Sequence, residues 1–200
     1  MARPRKDPNI EPTDVRILNA AETAFGNRGY LGTPLDDIAN TVGIRSPSLL
    51  YHFESKSVLY SAVIHRMFES LREELWSVLS EPGAYDERVL GLMGAYLRFI
   101  DERPAFAPIV LREIMDGQGP VREILANQLV PILEQVTAWI EAEGEGIRPP
   151  GVPVRHAILS MCSDALIRAS SGPLLEPLWG EDSQTMTLCR KLLIAGDTSN

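Results

Sequence analysis

At 200 residues, 44% hydrophobic and 23% charged, with a formal net charge of -8, the chain has the balance of a globular protein of one or two domains with a sizeable core, not of a disordered one. The opening MARPRK carries no apolar signal-peptide core, and no run reaches the roughly 18 to 20 apolar residues of a membrane helix, which predicts a cytoplasmic protein with no membrane partner. The acidity is uneven: residues 1–66 hold eight Lys/Arg against seven Asp/Glu and residues 67–200 hold eleven against twenty, so only the N-terminal end leaves room for a polyanion partner.

Helical spacing dominates and strand alternation is missing, which predicts an all-α fold of about nine helices. Apolar Val15, Ile17, Leu18, Ala21, Ala24 and Phe25 place a first helix at about 13–27, with Thr13 as its cap and Gly26 and Gly29 at its end. A short second helix follows at about 34–41, capped by Thr33, with Pro34 at the first helical position and Leu35, Ile38 and Ala39 facing inward. Gly43 supplies a turn, and Ser46-Pro47 repeats the cap-then-proline signal for a third helix ending near Phe53. Two short helices joined by a three- or four-residue Gly turn make a helix-turn-helix. Beyond Glu54-Ser55 a long helix begins at Lys56 and reaches about Leu79, roughly 36 Å at 1.5 Å per residue. Gly and Pro clusters divide the remainder into helices at about 86–102, 105–116, 121–143, 154–171 and 183–195.

From about Thr13 to Tyr60 the order of elements is specific: Ala-Phe-x-x-x-Gly-Tyr, Thr-Pro-Leu-Asp-Asp-Ile-Ala, Val-Gly-Ile, Pro-Ser-Leu-Leu-Tyr-His-Phe, Glu-Ser-Lys. In that quarter of the chain it resembles the DNA-binding domain of the TetR family of transcriptional regulators. The resemblance implies a three-helix helix-turn-helix domain over residues 1–55, with a flexible basic tail at 1–10, and a helical ligand-binding and dimerisation domain over 56–200. It also implies a homodimer, a near-palindromic double-stranded DNA operator, a small-molecule effector, and action as a repressor. Two positions depart from the family pattern. Leu50 stands where an aromatic is common and is free to pack inward; Arg45 stands where a small polar residue is common.

The acid-poor segment GIRSPSLLYHFESK, residues 43–56, suits a recognition helix, which reads base edges with its first residues while hydroxyls and cations hold phosphates. Arg45 can pair with guanine, Ser46 and Ser48 with bases or phosphates, and Pro47 with a thymine methyl. By resemblance Tyr51, His52 and Lys56 clamp phosphates, as does Thr33 at the second helix, where Pro34 is a further candidate DNA contact. Thr33 and Ser46 serve equally as caps, and Leu49 and Phe53 read as core. Arg3, Arg5 and Lys6 are either a solvated tail or a minor-groove arm.

In the acidic half, Ile158, Met161, Cys162, Ala165, Met186, Cys189, Leu192 and Leu193 on the last two helices are, by analogy, candidates for a four-helix dimer interface; burial within one chain is the other reading. Met67, Leu71, Met93, Leu97, Phe106, Ile109, Met115, Ile132 and Trp139 are candidate pocket walls, with Gln128, Gln135, Asp164 and Arg168 as polar anchors. Core packing explains the same apolar residues. Ligand binding would then shift the spacing of the two recognition helices, with the long helix as lever. A regulator with the same head that answers to a protein partner is the alternative, and a collapsed cavity would mark it.

No catalytic, cofactor or metal motif is present. Gly-x-Ser-x-Gly, Walker and dinucleotide patterns are missing, and His52, His65 and His156 show no metal-ligand spacing. Cys162 and Cys189, too few for a disulfide framework, read as buried thiols. The sequence therefore predicts no enzyme and no cofactor.

Overall fold

A computed structural model describes residues 11–116, 120–180 and 184–194. Among these lie ten α-helices and no strand: α1 Thr13–Arg28, α2 Leu35–Val42, α3 Ser46–His52, α4 Lys56–Ser80, α5 Tyr85–Glu102, α6 Phe106–Asp116, α7 Pro120–Glu143, α8 Val154–Ser170, α9 Leu175–Trp179 and α10 Thr185–Leu193. The chain divides into two compact units, Met1–Ile64 and His65–Asn200. No helix of the described residues is long and apolar enough to cross a membrane.

In the first unit α1 contributes Ile17, Ala21 and Phe25 to the core, α2 contributes Ile38, Ala39 and Val42, and α3 contributes Leu49. The first turns of α4 complete it with buried Leu59, Tyr60, Val63 and Ile64. Tyr60 meets Phe25 edge-on with ring centroids 4.7 Å apart, and lies 5.1 Å from Tyr30. Aromatic pairs at such separations add to the burial of the rings themselves. This is why the unit extends to residue 64, beyond the expected boundary at 55.

The caps differ from the sequence reading. Thr13 is the first helical residue, with Pro12 before it and no side-chain cap bond. Pro34 precedes α2 in extended backbone, and Arg45 takes the corresponding place at α3. α2 ends as expected at Gly43, whose φ of 76° and ψ of 31° are left-handed. Its N–H closes onto the Ala39 and Asn40 carbonyls, and the Ile44 N–H reaches the Ala39 carbonyl at 3.0 Å. These bonds satisfy carbonyls that a helix end otherwise leaves open.

In the second unit α8 is the central element, packing against α5, α6, α7 and α10. It buries Ala157, Ile158, Met161 and Ala165. Phe106 at the start of α6 sits between Phe68 and Phe99, at 5.4 and 5.0 Å. α7 runs through Pro131, which has no N–H to give the helix ladder. A 3-10 turn at Gly172–Leu174 and the short α9 fill a stretch that the sequence left as loop. Five residues of helix are too few to display a periodic pattern.

A methyl group on Gly43 would meet no atom within 4 Å, so a side chain there is penalised by the backbone conformation alone. Gly43→Ala is expected to destabilise the first unit by about 1 to 2 kcal/mol, measured as a lower denaturation midpoint by far-UV circular dichroism.

Candidate nucleic-acid interface and apolar cavity

α3 has seven residues and one fully buried side chain, Leu49. Away from Leu49, Pro47, Ser48, Tyr51 and His52 are exposed, and Arg45 is exposed just before the helix. Pro47 with Tyr51, and Ser48 with His52, are four apart and so share sides of the helix. Tyr51 is 88% exposed, and its ring stands edge-on to His52 at 5.8 Å. Guanidinium, hydroxyl and imidazole donors are thus presented to solvent beside an apolar Pro47, the mixture that suits phosphates and base edges. Leu50, 40% exposed, does not pack inward and adds a second apolar side chain to the exposed part of α3.

Pro34 is exposed at the entry to α2. The Lys56 ammonium lies 4.7 Å over the Tyr30 ring and donates to the Leu31 carbonyl at 3.4 Å, a use of one of its three N–H groups. Partial burial lowers its pKa from the ordinary lysine value of 10.5. Tyr30, as the platform under Lys56, is a positioning residue that the motif alone did not reveal.

Two expected contacts are corrected. Thr33 is completely buried, and its hydroxyl donates toward the Gly29 and Ala24 carbonyls at 2.8 and 3.1 Å. Its side chain ties the entry of α2 to the end of α1, and neither caps a helix nor reaches a phosphate. The Ser46 hydroxyl donates to the Asp36 carboxylate, so it neither caps α3 nor stands free. An acid therefore sits against the start of a segment that is acid-poor in sequence. Its neighbour Asp37 pairs with Arg28 at 2.6 Å.

Within the second unit a cavity of about 140 Å³ is lined by residues of α4, α5, α6, α7, α8 and α10. Of the expected walls, Leu71, Met93, Phe106 and Ile132 line it. Met67 and Ile109 are core residues outside it, Leu97 is half-buried outside it, and Met115 is 76% exposed. Trp139 instead stacks on Tyr85 at 6.0 Å with the Arg88 guanidinium 4.6 Å from its ring. The expected polar anchors are engaged elsewhere or exposed. Gln128 accepts from Arg72, Gln135 is exposed, Asp164 accepts from Trp179 at 2.7 Å and Thr185 at 3.2 Å, and Arg168 lies 5.8 Å from the Trp179 ring. The polar groups of the wall are Tyr96, Ser163 and the thiols of Cys162 and Cys189.

Residues 17–63 match the sequence profile of the bacterial regulatory proteins of the tetR family. Over that segment the chain is similar to the tetR-family regulators. It is 24% identical over 191 residues to the HTH-type transcriptional regulator RutR of Escherichia coli (strain K12), spanning 90% of this chain and 88% of that protein. The identity to IcaR, the negative transcriptional regulator of the icaADBC biofilm operon in Staphylococcus aureus (strain Newman), is 45% over 56 residues, 28% of this chain and 30% of that protein. The fold extends the likeness over the rest of the chain. HlyIIR, a hemolysin II transcriptional regulator, superposes with a TM-score of 0.69 at 21% identity over 92% of this chain and 98% of that one. A transcriptional regulator from Rhodococcus sp. Rha1 gives 0.69 at 17% identity over 91% and 96%.

The tetR-family resemblance also placed a dimer interface on the last two helices, and there the residues need correction. Ile158, Met161, Cys162, Cys189 and Leu193 line the cavity, and Ala165 is buried, so they face the interior of their own chain. Met186, 36% exposed, and the half-buried Cys162 and Leu192 retain surface. The large apolar groups that α8 and α10 leave exposed are Leu159, Ile167, Met186 and Leu188.

Burial pushes the Cys162 thiol up to about 12, against a lowering hydrogen bond from Tyr96, and pushes Cys189 up to about 11. Burial also raises Tyr96 well above its ordinary value. All three keep their protons in the folded state while the unfolded chain releases them near 9 to 10, so this contribution to stability is complete below about pH 9 and is lost as pH rises beyond it. The melting temperature is expected to fall above about pH 9, and less steeply in a Cys162→Ala/Cys189→Ala variant. Both thiols should react with a thiol reagent at pH 8 far more slowly than in the unfolded chain.

Proposed function

We propose that this chain is a transcriptional repressor that binds a near-palindromic operator as a homodimer and releases it when a small apolar ligand occupies the cavity of its second unit. The observation that carries the DNA-binding part is the exposed set Arg45, Pro47, Ser48, Tyr51 and His52 on a head whose residues 17–63 match the tetR family. A seven-residue helix that buries one side and offers donors on the others is suited to the major groove. Arg45 leads the base reading, and Tyr51, His52 and Lys56 hold phosphates. Arg3, Arg5 and Lys6 lie outside the described residues.

Two half-sites on one face of DNA repeat at about 34 to 36 Å or multiples of it, so affinity depends on the distance between the two heads of a dimer. Ile167 on α8 and Met186 and Leu188 on α10 are exposed apolar groups off the cavity wall and available for that association. The cavity favours a small-molecule effector over a protein partner, because a partner-regulated body would have no need to keep such a space inside an otherwise close-packed core. A ligand that prefers one head spacing shifts the population toward it, and DNA must weaken the ligand in return.

Fluorescence anisotropy with the DNA upstream of its own gene, across a salt series, tests this reading. Specific tetR-type binding should lie at or below about 10 nM and fall steeply with salt. Failure to prefer any sequence, both there and in a selection from random DNA, would overturn it. Tyr51→Ala and Lys56→Ala are expected to weaken binding to all sequences alike, with the salt slope of Lys56→Ala smaller by about one. Arg45→Ala should instead relax discrimination at one base pair, by about 1 to 3 kcal/mol.

A further inference from the structure

The cavity wall narrows the chemistry of its occupant. Among the described residues, no lining side chain is an acid, a lysine, an arginine or a histidine. With both thiols and Tyr96 protonated far above neutral pH, the wall carries no charge under ordinary conditions. A buried carboxylate or ammonium would find no counter-ion there, and isolated buried charges are strongly rejected.

Size restricts it further. About 140 Å³ is close to the roughly 150 Å³ engineered cavity, walled by Leu, Ile and Phe, that stays dry and takes benzene. Phe68, Phe106 and Tyr96 supply ring surfaces and Met93 a polarizable sulfur, partners that suit an aromatic guest. The Tyr96 hydroxyl is the one polar group of the wall placed in a hydrogen bond across helices. It donates to the Cys162 carbonyl at 3.3 Å, a long bond that leaves phenolic lone-pair capacity for a donor from the guest. Ile114, Leu159 and Ser163 line the cavity while being exposed, which marks where it opens to solvent.

We propose that the occupant is a neutral single-ring compound of roughly six to ten non-hydrogen atoms, a simple phenol or alkylbenzene, with the phenol hydroxyl donating to Tyr96. Carboxylates of the same size and extended acyl chains are excluded. This assignment rests on the reading of the cavity as the effector site.

The test uses the full-length protein with p-cresol, toluene, benzoate and decanoate, followed by calorimetry, by melting temperature and by release of bound operator DNA. p-Cresol and toluene should bind and raise the melting temperature in a concentration-dependent way, with benzoate and decanoate at least 100-fold weaker. Tyr96→Phe should reduce p-cresol affinity several-fold and leave toluene unchanged. Val136→Phe, which fills the cavity, should weaken both at least 10-fold while DNA affinity is kept; Val110→Phe serves if the first variant does not fold. Benzoate or decanoate binding as well as p-cresol, or p-cresol binding that neither filled variant weakens, would overturn the assignment. Binding of the neutral rings without DNA release would support the assignment and overturn the effector reading. Release of DNA by a charged or much larger compound, lost in the filled variants, would overturn the assignment and leave the effector reading standing.

Discussion

The burial of Leu49 is the constraint on which the exposed surface of α3 depends. A helix of seven residues has no stability of its own in water, because nucleation costs more than so few turns return. α3 is held instead by one side chain pressed into a core shared with α1, α2 and the beginning of α4, and by the closing bond from the Phe53 N–H to the Leu49 carbonyl at 2.9 Å. With that side fixed, the positions one and two residues away are turned off the core. Pro47, Ser48 and Tyr51 are exposed because Leu49 is not.

The same head shows how charge is managed close to an intended polyanion. Asp36 and Asp37 lie in the first turn of α2, where the helix dipole favours acids. Each is occupied: Asp36 accepts from Ser46, and Asp37 pairs with Arg28. Both partners come from elements that flank α2, so the acids brace the motif. The exposed guanidinium of Arg45 and hydroxyl of Tyr51 are left to face solvent, while half-buried Lys56 lies over Tyr30.

In the second unit α8 meets five other helices, α5, α6, α7, α9 and α10, and a helix so surrounded has little surface to spare. Its large apolar residues, Ile158 and Met161 among them, are used inside, around the cavity. The exposed remainder is a mixture of Leu159, Ile167, Arg155, His156 and small residues. Leu159 belongs both to this remainder and to the cavity, which it lines where it reaches the surface, while Ile167 lies off the cavity wall. The charged residues of the body lie off the cavity wall: Asp164 is turned to Trp179 and Thr185, and Arg168 to the Trp179 ring.

Helix identity, order and most boundaries were legible in the sequence because they follow from local signals: three- and four-residue apolar spacing, prolines at entries and Gly43 at an exit. The chemistry of the recognition segment was legible for the same reason, since its residue types and their spacing lie within fourteen consecutive positions. What a side chain faces was not local. Thr33 reads as a cap or a phosphate contact until the end of α1 is seen to accept its hydroxyl, and Leu50 reads as core until Leu49 is seen to occupy that side. Periodicity marked Ile158, Met161 and Cys189 as an apolar face but could not say whether that face meets its own chain or a second copy. Only the packing of six helices around one space decided that, because an apolar stripe carries no record of its partner.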